Sequence, residues 1–320
     1  MKLHQLRDVL TVAEKGSLRA AARHLGVTQP GLTRSIRELE RELGVPLFER
    51  QARGTVLTPM GRLFARRAGV AASELRRARE EIEQWSGGVG GGVTVCLTSV
   101  PLLALLPSAL PAFIARYAKV QLSIIESAYL AVESRLRDGS VDFYAGVAPE
   151  KAPGPDLVVE ELFTNERVVL ARHGHPLSGA RSLSQLVDAG WVTTSITDQA
   201  EAELGELFRT HGLKVPRLVA RVEGGALGLL MAVLANSDLI AILPKQWTEF
   251  SPTREALQKI DVREDIPAPP ITLIRRAALP LTPAAEYLCD LLRRASGQYL
   301  AAHRSARPAT RAPPPTTAPA

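Results

Sequence analysis

The stretch "HLGVTQPGLTRSIRELE", residues 24–40, decides the fold because an amphipathic helix begins inside it. Apolar residues recur at steps of four, three and four, the spacing of one helix face: Leu32, Ile36, Leu39 and Leu43. Proline suits only the first turn of a helix. Pro30 therefore predicts that the helix begins just before it, with Thr28 as the N-cap.

A second, shorter helix is predicted immediately upstream. The segment "SLRAAARHLG", residues 17–26, reads as a helix that ends at Gly26. A helix, a tight turn and a second helix form a helix-turn-helix, whose second helix lies in the DNA major groove with its N-terminal residues at base edges. Short polar residues and Arg34 occupy the exposed first turns of this helix, as expected for residues that contact base edges.

Charge supports a nucleic-acid partner for the N-terminal quarter. The net charge is +6, and residues 1–85 hold 16 Lys and Arg against 10 Asp and Glu, so the whole excess lies there. Arginine predominates, which favours planar contacts with phosphate. At 320 residues the chain predicts two or three domains.

Several other classes lack their signals. No apolar run is long enough to span a membrane and no secretory leader is visible, so neither a membrane partner nor secretion is expected. Cys96 and Cys289 lie far apart, which suits the reducing cytoplasm. His173 and His175 have no third ligand nearby, so no metal is predicted. Neither a dinucleotide fingerprint nor a hydrolase nucleophile motif is present, and no cofactor is expected.

Residues 59–85 predict one long helix, which Thr58 and Pro59 begin. It carries a narrow heptad seam of Phe64, Ala68, Ala71, Leu75, Ala78, Ile82 and Trp85. Such a seam favours self-association. The alternative is an amphipathic helix that packs on its own domain.

The remaining chain alternates between strands and helices. After the glycine-rich residues 86–92, a hinge, the region 93–300 predicts an α/β domain with a largely parallel sheet. Its length allows two subdomains, I (about 93–165 and 268–300) and II (about 166–267), with a ligand cleft between them. Residues 301–320 are rich in Pro, Ala and Thr and predict a disordered tail.

The chain resembles the LysR-type transcriptional regulators in two consecutive stretches: "LRDVLTVAEKGSLRAAARHLGVTQPGLTRSIRELERELGVPLFER" (6–50) and "LTPMGRLF" (57–64). A weaker likeness continues through "HPLS" (175–178). The resemblance implies a winged helix-turn-helix in residues 1–58, a dimerising linker helix, and an effector domain built like a periplasmic binding protein. It also implies a homodimer or homotetramer that binds promoter DNA of dyad symmetry. RNA polymerase is a further candidate partner.

Within that frame, roles in DNA binding are assigned by side-chain chemistry. Amides and guanidinium groups match base edges, basic residues of a wing contact phosphate or the minor groove, and the first helix of the motif contacts the backbone. The DNA-binding candidates are Ser17, Arg19, Thr28, Gln29, Pro30, Thr33, Arg34, Arg37, Arg50 and Arg53. For Arg37 and Arg41 a solvated face next to Glu38 and Glu42 is an equal alternative.

The effector residues follow the strands. Thr98 and Ser99 end a strand where Pro101 opens a helix, and family members bind small anionic metabolites at this position. Simple N-capping is the alternative role. The effector-binding candidates are Thr98, Ser99, Ser127, Tyr129, Thr193, Thr194 and Ser195. Segments such as "PLLALLPSAL" and "LRDGSVDF" resemble a branch that responds to aromatic sulfonates and related acids.

The sequence therefore predicts a non-enzymatic, cytoplasmic DNA-binding regulator controlled by a small carboxylate or sulfonate effector. Two other classes stay open at this point. One is a ligand-binding or enzymatic α/β protein with a basic helical appendage. The other is a non-specific architectural DNA protein, which would need no effector pocket.

Overall fold

The computed structural model describes residues 1–51, 54–85, 91–194, 200–222 and 227–304. The helices are α1 (Leu3–Lys15), α2 (Leu18–Leu25), α3 (Gln29–Leu43), α4 (Pro59–Trp85), α5 (Ser99–Ala104), α6 (Leu106–Arg116), α7 (Tyr129–Asp138), α8 (Ala200–Thr210), α9 (Leu227–Ala235), α10 (Ser251–Ala256) and α11 (Pro283–Arg304). The strands are β1 (Phe48–Gln51), β2 (Gly54–Leu57), β3 (Gly92–Leu97), β4 (Gln121–Glu126), β5 (Phe143–Val147), β6 (Leu157–Phe163), β7 (Arg167–Arg172), β8 (Gly190–Thr194), β9 (Arg217–Val222), β10 (Leu239–Pro244), β11 (Leu257–Ile260) and β12 (Ile271–Arg276).

The first three helices form a unit around one small core. Ser17 caps α2, and Gly26 ends it in the left-handed conformation at φ 65°. Thr28 caps α3 as predicted, and Pro30 lies in the first turn. Apolar side chains from all three helices share the core with Leu47, which follows α3: Val9, Val12, Ala21, Ala22, Leu32, Ile36 and Leu39. The predicted helix-turn-helix is confirmed, and β1 and β2 follow it as an antiparallel hairpin.

Two five-stranded sheets make up the rest of the molecule. Sheet I has the order β4-β3-β5-β12-β6, and sheet II has the order β11-β7-β10-β8-β9. In each sheet two neighbouring pairs are parallel and two are antiparallel. The expectation of a largely parallel sheet is therefore wrong. Strands β7 and β12 begin where the chain crosses between the sheets, so each must run against neighbours that end there.

We call sheet I with α5, α6, α7 and α11 subdomain I, and sheet II with α8, α9 and α10 subdomain II. The chain crosses into subdomain II after β6 and returns before β12. Subdomain I buries both faces of its sheet, one under α6 and α11 and the other under α7. Leu103 of α5 packs on the subdomain II core that contains Trp247. The two subdomains are thus in apolar contact beside the crossing segments.

Several elements differ from the predicted ones. Residues 99–116 form two helices, α5 and α6, which break at Leu105 because Pro107 has no amide hydrogen to continue the helical hydrogen bonds. A disordered tail from residue 301 is wrong for residues 301–304, which continue α11. The others, 305–320, lie outside the described residues, as do 86–90 of the expected hinge.

The end of α11 is held by contacts with subdomain II. Tyr299 accepts a hydrogen bond from Gln246 at 3.0 Å, and His303 Nε2 lies 3.0 Å from Glu249 Oε1. The Tyr299 and His303 rings also stack at 4.1 Å between centroids. These contacts explain why the helix continues past residue 300.

Helix α4 is joined to subdomain I by a buried ion pair. Arg77 Nη2 lies 2.8 Å from Asp142 Oδ1, and both side chains are at least 96% buried. Asp142 also accepts a hydrogen bond from the amide of Thr94 at 2.8 Å. Burial raises the pKa of Asp142 to about 6, and the hydrogen bond from the Thr94 amide acts in the opposite direction by favouring the carboxylate. The second half of α4 is therefore fixed to its own effector-side subdomain.

We expect Asp142→Asn to lower the free energy of unfolding by about 3–5 kcal/mol, because it leaves the Arg77 guanidinium buried without a countercharge. Thermal denaturation followed by circular dichroism measures the change. The matched control is Asp156→Asn, which removes a half-exposed partner of Arg137 and should cost less than about 1 kcal/mol. Equal losses in melting temperature for the two variants would contradict a structural role for the Arg77–Asp142 pair.

Candidate nucleic-acid interface and effector cleft

The exposed face of α3 forms a groove of about 690 Å³. Polar and cationic side chains line it: Gln29, Pro30, Thr33, Arg34, Arg37, Glu38 and Arg41. The five candidate residues that sequence chemistry assigned to this helix beyond its cap are therefore brought together on one surface. Glu38 and Arg41 were not among the candidates, and their spacing of four and seven residues from Arg34 is the signal that places them there.

The groove is rigid because the opposite face of α3 is buried. Leu32 and Leu39 are almost fully buried in the three-helix core. At the N-terminus, Thr28 Oγ1 accepts a hydrogen bond from the amide of Gly31 at 3.3 Å. Thr33 Oγ1 donates to the carbonyl of Gln29 at 2.9 Å. Side-chain hydroxyls thus tie down the first two turns, which are also the turns that present the groove.

Arg34 is the most prominent cation of the groove. Its side chain is 83% exposed, and its Nε donates to Glu38 Oε1 at 2.9 Å. Arg37 is exposed on the same face. On α2, Ser17 uses its hydroxyl as the helix cap and Arg19 is exposed.

The β1–β2 hairpin is attached to the turn between α1 and α2. The amide of Thr55 donates to the carbonyl of Gly16 at 2.9 Å. Gly54 adopts φ 140°, and a Cβ at this position would lie 2.6 Å from that same carbonyl oxygen, so only glycine fits. Arg50 lies on β1 opposite Thr55, whereas Arg53 lies outside the described residues. The hairpin has the place of a wing beside the helix-turn-helix.

Sheet topology defines a cleft between the subdomains. Strands β3, β4 and β5 of sheet I and β8, β9 and β10 of sheet II all end on the side of the crossing segments. In open α/β sheets, ligands bind outside the carboxyl ends of the strands. The candidate effector residues follow β3, β4 and β8, so the topology gathers them at this edge.

Three polar side chains near this edge are buried without partners among the described residues. Thr98 Oγ1 and Thr193 Oγ1, at the ends of β3 and β8, make no hydrogen bond. Neither amide atom of Asn165, in the segment that crosses to subdomain II, makes one either. An unsatisfied buried polar group costs about 1–3 kcal/mol. N-capping by the Thr98 side chain, the alternative role, is not observed.

The other candidates have varied surroundings. Ser99 is buried at the start of α5, while Ser127 and Thr194 are half-buried. Tyr129 packs edge-to-face on Tyr144 beneath α7, and its hydroxyl lies 3.1 Å from Glu133. The Tyr129 ring is therefore part of the buried core of subdomain I. Ser195 lies outside the described residues.

Several charged groups at this edge have a hydrogen-bond or ion-pair partner. The carboxylate of Glu126, at the end of β4, accepts a hydrogen bond from the amide of Leu227 at the start of α9, and burial raises its pKa. This contact connects subdomain I with subdomain II. On the subdomain II side, three cations pair with carboxylates: Arg167 with Glu203, Arg221 with Glu201, and Lys245 with Glu166.

The cysteines and the histidine pair have structural surroundings. Cys96 is fully buried, and burial raises its pKa to about 11, which disfavours the reactive thiolate. His175 accepts a hydrogen bond from the amide of Leu177, and His173 Nε2 lies 3.0 Å from the carbonyl of Arg254. Over the part of the chain that the structure describes, no cluster of potential metal ligands occurs and no helix has the length and apolarity to cross a membrane.

Comparison with known proteins identifies both the N-terminal and the C-terminal part of the chain. Residues 3–62 match the family model "Bacterial regulatory helix-turn-helix protein, lysR family", and residues 86–297 match "LysR substrate binding domain". The HTH-type transcriptional regulator GalR of Pseudomonas putida is 30% identical over 90% of this chain and 72% of its own length. GbpR of Azospirillum brasilense, another HTH-type transcriptional regulator, is 26% identical over 92% of this chain and 87% of its own.

The fold agrees with a solved regulator. The crystal structure of full-length CbnR in complex with its target DNA superposes with a TM-score of 0.65, at 22% identity, and covers 92% of this chain and 100% of that one. The helical N-terminal unit and the two-sheet α/β domain are common to both. The family assignment excludes the enzymatic alternative. This chain belongs to the LysR family of DNA-binding transcriptional regulators, with a helix-turn-helix domain and a separate effector-binding domain.

Proposed function

We propose that this protein binds a promoter of dyad symmetry as a dimer, reads bases with the N-terminal half of α3, and responds to a small effector in the cleft between its subdomains. The observation that carries the proposal is the groove on α3. Three arginines line it, while the opposite face of the same helix is locked in a core. A rigid cationic helix front is what major-groove readout requires.

The base-reading residues are Gln29, Pro30, Thr33 and Arg34. Gln29 and Arg34 match adenine and guanine edges in hydrogen-bonding pattern. Pro30, in the first turn, offers an apolar ring and sacrifices no helical hydrogen bond. Arg50 of β1 and Arg53, which follows it in sequence, contact phosphate or the minor groove together with Ser17, Arg19 and Arg37 and fix the register.

The proposed dimer is supported by the exposed apolar seam of α4, which lies on a different face from the one that packs on subdomain I. Phe64 packs on the three-helix core and Ala68 is buried, so the first two seam positions serve their own domain. Beyond them the seam is exposed to solvent: Leu75 is 51% and Ile82 is 68% exposed, and Ala71 before them and Ala78 between them are exposed too. The face that carries Arg77 packs on subdomain I instead. A second α4 would cover this exposed apolar stripe.

The effector is proposed to be a small aromatic carboxylate or sulfonate, the class to which the resemblance of residues 101–110 and 136–143 points. Its support is a set of buried side chains that have no hydrogen-bond partner among the described residues: Thr98, Thr193 and Asn165. Arg167, Arg221 and Lys245 at this edge already pair with carboxylates. Hydroxyl and amide groups would therefore have to donate the hydrogen bonds to the acid group of the effector. The same proposal places the protein in the cytoplasm, where it meets DNA, and includes tetramers through the effector domains and contact with RNA polymerase.

Arg34→Ala should weaken binding to the promoter fragment upstream of its own gene by about 1–3 kcal/mol, because a bidentate base contact is lost. Gel-shift titration against that fragment and a scrambled duplex measures the loss. Arg53→Ala is the comparison: it should weaken binding to both duplexes alike and reduce the slope of log affinity against log salt by about 0.9. Unchanged discrimination in Arg34→Ala would refute its base-reading role.

Leu75→Glu should convert the dimer to a monomer and abolish the gel shift, because it places a charge in the exposed apolar seam. Light scattering after size exclusion at micromolar concentration gives the mass. Leu130→Glu, at a residue 60% exposed on α7 and away from the seam, is the matched control and should stay dimeric. A dimeric Leu75→Glu variant that still shifts DNA would rule out the seam as the contact.

Thr98→Ala should weaken effector binding about tenfold or more, since a hydrogen bond to a charged group contributes about 1.5–3 kcal/mol. A thermal-shift screen of aromatic carboxylates and sulfonates, with their neutral amides and alcohols alongside, first identifies the stabilising compound. Thr210→Ala, an exposed threonine on α8, is the control. Equal responses in both variants, or stabilisation only by the neutral analogues, would count against this site and class.

A further inference from the structure

One acidic residue, Glu38, lies among the cations of the α3 groove. The groove contains Arg34, Arg37 and Arg41, and Glu38 is the carboxylate among its lining residues. A negative charge on a surface that binds phosphate reduces non-specific affinity for DNA, because affinity grows with the number of phosphates neutralised. Its presence in the middle of the groove therefore needs a reason other than affinity.

The reason is visible in its contact with Arg34. Arg34 Nε donates to Glu38 Oε1 at 2.9 Å, one helical turn away. This hydrogen bond lowers the pKa of Glu38, and the positive charges of Lys2 and Arg41 act in the same direction, so the residue is ionised at neutral pH. Among the described residues, the terminal nitrogens Nη1 and Nη2 of Arg34 have no other hydrogen-bond partner. The Nε edge of the guanidinium is therefore hydrogen-bonded to Glu38, and the Nη1 and Nη2 atoms can donate to another acceptor.

Helix stability does not account for the pair. In helices, an acidic residue that precedes a basic residue by four positions is the favourable order, and here the order is reversed. The arginine also lies nearer the helix N-terminus, where the helix dipole favours negative groups. Exposed ion pairs of this kind contribute little to folding.

We propose that Glu38 is a positioning residue for DNA recognition: it holds Arg34 by Nε, leaves Nη1 and Nη2 for the O6 and N7 atoms of a guanine, and repels the phosphates that Arg34 would otherwise contact. A pre-oriented side chain loses less conformational freedom on binding. The residue thus gives up non-specific affinity and gains discrimination between sequences. The inference rests on the proposed base-reading role of Arg34.

The test uses the full-length protein and a pool of random DNA duplexes. Selection with the wild-type protein yields a preferred duplex, and affinities for it and for a scrambled duplex are then measured over a range of salt. Glu38→Ala should lower the ratio of the two affinities about tenfold, with tighter binding to the scrambled duplex. Its salt slope on that duplex should steepen by about 0.9, because the released Arg34 gains a phosphate contact. Glu38→Gln keeps an oxygen acceptor and should retain more of the ratio.

Two controls separate positioning from charge. Glu14→Ala removes an exposed carboxylate on α1, outside the groove, and should leave the ratio unchanged. Arg34→Lys/Glu38→Ala should discriminate no worse than Arg34→Lys alone, because the residue acts through Arg34. A wild-type ratio in Glu38→Ala, or an equal change in Glu14→Ala, overturns the inference while sequence selection by the wild type stands. If the wild type selects no sequence, the base-reading role itself fails.

Discussion

One face of helix α3 is packed in the core, and the opposite face is exposed to solvent. The architecture of the N-terminal unit follows from this requirement. Burial of Leu32, Ile36 and Leu39 against α1 and α2 fixes the helix in rotation and in translation. Because 3.6 residues make a turn, the residues between these apolar positions then face outward. The cap at Thr28 marks where the helix begins, and the residues that follow it form the exposed first turns.

Much of this unit can be predicted from sequence because each of its signals is local. The N-cap, the first-turn proline and the glycines at the helix ends act within four residues of where they stand. The apolar seam of α4 could also be predicted from the sequence, but its two halves have different surroundings. Phe64 is committed to the three-helix core, whereas Leu75 and Ile82 are exposed. Periodicity shows that a face is apolar and does not show what covers it.

The α/β region was less predictable because its decisive features are non-local. Strand β12 runs against β5 only because the chain returns from the other sheet, a fact of topology that no window of sequence contains. The ion pair of Arg77 and Asp142 joins positions 65 residues apart. Tyr129 looked like a cleft residue from its place after a strand, yet its ring lies beneath α7. Conversely, the interest of Thr98 and Thr193 comes from side-chain hydroxyls that are buried without a hydrogen-bond partner among the described residues, which the sequence alone does not show.

The attachment of α4 to subdomain I bears on how regulators of this kind can be recombined. The glycine-rich stretch before β3 looks like the natural junction at which to exchange one sensing module for another. An exchange of effector domains at this point would separate Arg77 from Asp142, and each residue would then pack against a surface from a different protein. Glu80 and Gln84 would likewise lose their bonds to the amides of Gly92 and Ala284. The transferable unit therefore begins inside α4, on the N-terminal side of Arg77, and a hybrid protein made at such a boundary keeps the helix and the sensing domain together.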